Sequence, residues 1–305
     1  MQPDQRNIAL RSRTLMTMRD FFHSRNFIEV ETPVRIPTPA LETHIDAPQS
    51  ENAWLRTSPE LHMKRLLADG HDKIFQIGPC FRKGECGSRH NPEFTMMEWY
   101  RLNADYSDIL KETKRLLIHT FKAITGSTDF NYQDKTISLE NDWHILTVAE
   151  AFEKFAGWNP VTDWNEERFE RDLLEKVEPA LPQNRPCVLT DYPAPTAALA
   201  RLKPGNPRVA ERWELYIGGL EIANTYSELC DPVQQRKRFE ECAAERESLG
   251  KERYPIDEPF LQALERGLPP CSGIALGIDR LIMLLCDTPD IQDVRLFTQQ
   301  PGELY

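Results

Sequence analysis

With 305 residues, 40% of them apolar and 28% charged, the chain has the material for a substantial core and lacks the composition of a disordered protein. A formal net charge of −11 argues against general nucleic-acid affinity, which needs clustered Lys and Arg, and leaves only local patches such as Arg82, Lys83, Arg89 and His90, or Arg236 to Arg238. The longest apolar run, Leu281 to Cys286, falls far short of the roughly 20 residues that cross a bilayer. The polar start Met1 to Arg13 carries no secretory apolar stretch, so a cytoplasmic chain without membrane contact is expected.

In chain order, Ile8, Leu15, Met18 and Phe22 recur at helical spacing and predict an amphipathic helix over Asn7 to Asn26, followed by a short strand, Phe27 to Val30, that Pro33 ends. Met63 to Ala68 reads as a helix after Ser58-Pro59-Glu60, where Pro suits a helix start. Ile74 to Ile77 and Phe94 to Tyr100 read as strands, and Ser107 to Ile124 as a second amphipathic helix. The stretch 127–208 mixes Trp, Pro and charge, with a helical segment near Glu166 to Val177, and is expected to be a helical elaboration of one domain covering 1–305. Glu214 to Ile217 and Leu220 to Ala223 flank Gly218-Gly219 as a hairpin with a two-residue turn. A helix over Phe239 to Leu249 and a strand Gly273 to Gly277 running into the helix Leu281 to Leu285 complete the pattern. Hairpins and long excursions without regular βαβ alternation predict an α+β fold, an antiparallel sheet flanked by helices. No Walker or Rossmann glycine signature is present.

The seven cysteines are odd in number and contain no CxxC pair, which predicts reduced thiols. Cys80, Cys86 and His90 lie close in sequence but have no fourth ligand and no standard zinc spacing.

Three constellations carry chemistry. In Phe94 to Tyr100 a period of two places Phe94, Met96, Glu98 and Tyr100 on one face. A buried Glu there needs a partner, either an internal Arg or Lys or a bound ammonium. In the hairpin, Tyr216 opposes Glu221 and Glu214 becomes its diagonal neighbour, two like charges tolerable if exposed or if a cation such as Mg²⁺ sits between them. Asn224, Tyr226 and Glu228 share a face, whereas Glu221 has the opposite parity and joins them only through a bulge near Ala223. Finally, Arg82 after a strand and turn, and Arg280 at the start of a helix, offer planar forks suited to phosphate or to structural ion pairs.

At these residues the chain resembles the catalytic core of class II lysyl-tRNA synthetases. Phe81-Arg82 with Arg89-His90-Asn91-Pro92-Glu93-Phe94-Thr95-Met96-Met97-Glu98-Trp99-Tyr100 is similar to their motif 2, Phe27 to Pro33 to motif 1, and Gly273 to Leu281 to motif 3. Thr57 to Glu60 and Glu221 to Leu229 extend the resemblance over nearly the whole chain. Those synthetases carry an N-terminal OB-fold that reads the anticodon, and only 26 residues precede motif 1 here. The resemblance is therefore placed with short paralogues that attach lysine, preferably its β-isomer, to a lysine of elongation factor P. Ala275 stands where the synthetases have Gly and those ligases have Ala.

The resemblance implies that Arg82 and Arg280 are catalytic and grip ATP phosphates, with Arg82 also meeting the substrate carboxylate. It implies that His90, Asn91 and Phe94 hold ATP, and that Glu214 and Glu221 bind Mg²⁺. Glu60 would take the amino group near the carboxylate, and Glu98, Tyr100 and Glu228 the side-chain ammonium. Asn224, Tyr226 and Ala275 would shape the pocket. It further implies a homodimer through motif 1 and no anticodon recognition. One departure stands out: Gly84 occupies the position of the motif 2 Glu, with Glu85 one residue later. Rival expectations are a truncated synthetase with another acceptor and a catalytically silent amino-acid-binding regulator.

Overall fold

The computed structural model describes residues 4–298; residues 1–3 and 299–305, part of the domain expected over 1–305, lie outside the described residues. The chain opens with α1 (Gln5–His23), β1 (Ile28–Glu29), β2 (Arg35–Ile36), β3 (Gln49–Ser50), β4 (Ala53–Leu55) and α2 (Glu60–Ala68). Then come β5 (Lys73–Phe81), β6 (Glu93–Leu102), α3 (Tyr106–Thr125), β7 (Asp129–Tyr132), β8 (Lys135–Ser138), β9 (His144–Thr147), α4 (Val148–Phe155), α5 (Glu166–Asp172), a π-turn Leu173–Val177, α6 (Glu178–Ala180) and β10 (Cys187–Pro193). β11 (Leu202–Lys203), β12 (Asn206–Ile217), β13 (Leu220–Ser227), α7 (Pro232–Ser248), α8 (Glu258–Glu265), β14 (Cys271–Gly277) and α9 (Ile278–Cys286) complete it.

The main sheet runs β1-β5-β6-β14-β13-β12-β10-β9, with β11 beside β12. Its central pairings are antiparallel, and β1–β5 and β9–β10 are parallel. This is the expected α+β architecture. The segment 127–208 is not helical throughout: β9 and β10 widen the main sheet, and the hairpin β7–β8 packs Tyr132 and Ile137 into the central core.

Period-two alternation assigns the two faces. Met97 and Trp99 of β6, Ile274 and Leu276 of β14, Trp213 and Leu215 of β12 join Phe21 and Phe22 of α1, Leu117 and Phe121 of α3 and Leu281 of α9 in one apolar layer. The opposite face meets α2, α7 and α8 around Tyr100 at one end, and α4 and the π-turn around Tyr192 and Tyr216 at the other. Between those two clusters the sheet carries polar side chains.

The tight turn is as expected: Ile217 pairs with Leu220, and Gly218 and Gly219 both have positive φ, +62° and +80°, the backbone of a type I′ hairpin. A Cβ at Gly218 would lie 2.6 Å from the Tyr132 ring, so two independent constraints select glycine. Beyond the turn the register slips once. Tyr216 pairs with Glu221 but Leu215 with Ala223, leaving Ile222 as the extra residue of a bulge, as the parity of Glu221 demanded.

Across the polar face lies a strap, Ala40 to Ala47, that hydrophobic packing alone does not hold. Arg246 of α7, with no exposed surface, donates to the carbonyls of Glu42 at 2.8 Å and Ile45 at 3.0 Å and to the Asp46 carboxylate at 2.7 Å, with its guanidinium 4.3 Å from the Tyr254 ring centre. The Tyr254 hydroxyl in turn accepts the Ala47 N–H at 2.9 Å. Replacing Arg246 by Met leaves several carbonyls without a charged donor and is expected to cost about 3 kcal/mol. Urea unfolding measures this, and limited proteolysis between residues 40 and 47 should accelerate in the variant.

Candidate active site

The polar face forms the floor of a cavity of about 340 Å³, a size suited to a small-molecule ligand. Every residue that the resemblance assigned to ATP, metal or substrate lines it: Glu60, Arg82, His90, Asn91, Phe94, Glu98, Tyr100, Glu214, Glu221, Asn224, Tyr226, Glu228, Ala275 and Arg280. The sheet register explains how residues so far apart in sequence meet. Glu98, Ala275, Asn224 and Glu214 occupy one rung across β6, β14, β13 and β12, and Tyr100, Gly273, Tyr226 and Arg212 the next. Three strand spacings separate Glu98 from Glu214, about 14 Å, so the cavity has two distant ends.

At the first end Lys64 of α2, wholly buried, is paired with Glu60 one helical turn before it and with Glu228 at 2.5 Å. Burial works to discharge Lys64, but the Glu228 and Glu60 carboxylates outweigh it and hold the ammonium protonated. Among the described residues no Arg or Lys forms an ion pair with Glu98. Its carboxylate accepts from the Ser58 hydroxyl at 2.7 Å and the Tyr100 hydroxyl at 2.8 Å. Burial, with Glu60 nearby, pushes its carboxyl up to about 7, although both hydroxyls pull the other way. Burial likewise raises Glu228. Two of the three carboxylates thus share Lys64, while Glu98 is met by hydroxyls and by the field of the buried Arg56 guanidinium. Gly273 makes room for them, since a Cβ there would stand 2.0 Å from the Tyr100 ring and 2.9 Å from a Glu228 oxygen. On the rung of Glu98 and Ala275 the buried Asn224 carbonyl oxygen lacks any donor, while its amide faces the Tyr226 hydroxyl at 3.4 Å.

The other end is positively charged. Arg82, after β5, lies over Phe94 with its guanidinium carbon 5.2 Å from the ring centre, and its buried Nε has no acceptor. Arg280, in the first turn of α9, donates to the Glu221 carboxylate at 3.1 Å and stands 2.7 Å from His90 Nε2. Because Arg only donates, His90 Nε2 is the acceptor and the ring is neutral; burial followed by the Arg280 charge lowers its pKa. The preceding residue, Asp279, is tied by Arg11 of α1 at 2.6 Å, by Arg295 at 3.0 Å and by the Thr95 N–H at 2.8 Å, which fixes α9 against β6. Glu85, displaced by Gly84, lines the cavity 3.7 Å from Arg82.

The repulsion expected between Glu214 and Glu221 is met by protein cations. Arg212 binds Glu214 at 2.6 Å while Tyr192 and Tyr216 donate hydroxyls to it at 2.6 and 2.7 Å. Arg280 serves Glu221, whose side chain stays 40% exposed. Glu178 faces the same group, and burial together with the Glu214 charge pushes its carboxyl up to about 7. These carboxylate oxygens, with Glu221 open to solvent, are of the hard donor type that suits a divalent cation.

Arg212, Lys64, Ser58 and Glu42 line or buttress the cavity and were missed in the sequence. Arg212 was signalled by parity, two residues before Glu214 on a strand that begins eight residues earlier than expected. Lys64 was signalled by its i,i+4 spacing from Glu60.

The sheet and its two-ended cavity define the catalytic domain of a class II aminoacyl-tRNA synthetase. Residues 2–301 match the class II tRNA synthetases (D, K and N), and the chain belongs to that family. Among its relatives are the lysine–tRNA ligases of Thiobacillus denitrificans, 40% identical over 96% of this chain and 64% of the relative, and of Halalkalibacterium halodurans, 36% identical over 98% and 65%. That of Bacillus subtilis is 35% identical over 98% and 65%. The chain therefore spans about 65% of the length of these relatives. Among the described residues no helix is long and apolar enough to cross a membrane.

Because Glu98 holds its proton in the folded chain up to about pH 7 but releases it near 4.5 when unfolded, the folded form carries more protons between those values. Stability without ligand should therefore fall as pH rises from about 4.5 to about 7, by at most about 3 kcal/mol. Glu98→Gln should flatten that slope in urea unfolding measured at pH 5 and pH 7.5.

Proposed function

We propose that this chain activates lysine, in the form of its β-isomer, as an aminoacyl-adenylate at the expense of ATP and transfers it to a lysine side chain of elongation factor P. The observation that carries the first half is the charge balance of the cavity. One end offers Glu60, Glu98 and Glu228 against one internal ammonium, with an Asn224 oxygen in need of a donor. The other offers guanidinium groups, one with a buried nitrogen in need of an acceptor. A diamino acid laid along the floor answers both, its distal ammonium near Glu98, Glu228 and Tyr100 and its carboxylate toward Arg82. The names of the relatives, lysine–tRNA ligases, support lysine as the amino acid.

In the first step a carboxylate oxygen attacks the α-phosphorus of ATP in line, and the bond to the leaving pyrophosphate breaks. Both reactants are anions. Arg82 and Arg280 lower their repulsion and stabilise the charge that builds on the phosphate oxygens. Phe94 stacks on the adenine, with His90 and Asn91 beside the nucleotide, and Glu214 and Glu221 would hold Mg²⁺, which neutralises phosphate charge. No general base is needed. In the second step a neutral acceptor amine attacks the carbonyl carbon and AMP leaves.

Ala275 supports the β-isomer, because it lies between Glu98 and Asn224 on the floor and its methyl group shortens the space beneath the substrate. Exposed Met16 on α1 and Ile28 on β1 support a homodimer through the motif 1 region, and a cytoplasmic location completes the reading.

ATP–pyrophosphate exchange with lysine and 3,6-diaminohexanoate, followed by transfer of labelled amino acid to purified elongation factor P or to tRNA, tests the proposal. Exchange with either amino acid and label on elongation factor P are expected. Label on tRNA alone overturns the acceptor assignment, and absence of exchange overturns the enzyme. Arg280→Ala should lower exchange by about 100-fold or more, and Ala275→Gly should alter the isomer ratio by no more than about 200-fold.

A further inference from the structure

The carboxylates around the cavity are nearly all engaged. Glu60 and Glu228 share Lys64, Glu98 accepts two hydroxyls, Glu214 holds Arg212, Glu221 holds Arg280, Glu85 faces Arg82, and Asp279 is bound by Arg11 and Arg295. Glu42 differs. It lines the cavity from the strap, yet among the described residues its carboxylate has neither a hydrogen bond nor an ion pair, while its own backbone carbonyl is held by Arg246. The residue keeps some surface, but its carboxylate is hemmed in by protein. Removal from water pushes the carboxyl up, Arg82 pulls it back, and Glu60 pushes it up again. The backbone clamp therefore holds in the cavity a carboxylate without a hydrogen bond or ion pair, within the fields of Glu60 at the anionic end and of Arg82 and Arg212.

We infer that Glu42 is a specificity-determining residue that, together with Glu60, forms a two-carboxylate receptor for the amino group next to the substrate's reacting carboxylate. The inference rests on the diamino-acid reading above. Glu60 alone is a poor receptor, since Lys64 already takes up part of its charge. An ammonium between Glu42 and Glu60 relieves their mutual repulsion and fixes the neighbouring carboxylate toward Arg82. Because Glu42 arrives on a strap separate from the sheet that binds the distal ammonium, the position of the amine along the substrate is read independently of its length.

The test compares kcat/KM in pyrophosphate exchange for lysine, 3,6-diaminohexanoate and 6-aminohexanoate, which lacks the proximal amine, in the wild type, Glu42→Gln and Glu42→Asp. Glu42→Gln should lower the value for the preferred diamino acid by about tenfold or more while leaving that for 6-aminohexanoate and the KM for ATP unchanged. Glu42→Asp, which keeps the charge, should fall between. The comparison is internal to each variant, so partial unfolding, which scales all three substrates alike, does not imitate the effect. Equal losses for the diamino acids and 6-aminohexanoate, or intact exchange with lost transfer to an acceptor amine, overturn the assignment. A wild type that exchanges with none of the three overturns the parent reading and this one with it, whereas normal wild-type selectivity retained in Glu42→Gln overturns this one alone.

Discussion

The buried ammonium of Lys64 sets the conditions for the rest of the cavity. Removing an ammonium from water is costly unless carboxylates meet it, and Glu60 and Glu228 do so from elements that are far apart in sequence. Their presence leaves Glu98 with no cation of its own, so hydroxyls from Ser58 and Tyr100 take that place. The side chains that crowd this end fit only because β14 has glycine at position 273. The result is a region whose carboxylates outnumber its ammonium groups and whose Asn224 oxygen still lacks a donor, the electrostatic condition for receiving a cationic ligand.

The sheet acts as a ruler between that region and the arginines. Strand spacing sets the distance from Glu98 to Glu214, and the register places Ala275 and Asn224 at intermediate marks. Rigid elements of this kind hold charges apart more accurately than loops can. What loops add is the strap, anchored through its carbonyls by Arg246 rather than through side chains. His44 in the strap also reaches Glu170 of α5 at 3.2 Å, so the strap bridges the two clusters that flank the cavity.

Much of this was legible in the sequence because it depends on local periodicity. Alternation in Phe94 to Tyr100 put Glu98 and Tyr100 on one face, and paired glycines marked the hairpin. The parity conflict between Glu221 and Asn224 required a bulge, which the register places at Ile222. What could not be read depends on partners distant in sequence. Lys64 looks like one more solvated helix residue until Glu228 is brought beside it. Arg212 lies on a strand whose polar start, Asn206 to Arg208, hides its beginning. Glu42 lies in a loop without periodicity, and its anchor Arg246 stands on α7 some 200 residues away. Within 127–208 the helical segment expected near Glu166 to Val177 is present as α5 and the π-turn, whereas the strands β9 and β10 were obscured by mixed composition, although Cys187 to Leu189 is an apolar run.

The extra residue at Ile222 has an evolutionary corollary. On its N-terminal side stands Glu221; on its C-terminal side stand Asn224, Tyr226 and Glu228, and all face the cavity only because one position was added to the strand. Losing a residue there would leave Glu221 on the wrong side of the sheet relative to the other three, and gaining one would do the same. New substrates are therefore reached by exchanging side chains along β13, while a one-residue change in its length turns Glu221 away from the other three.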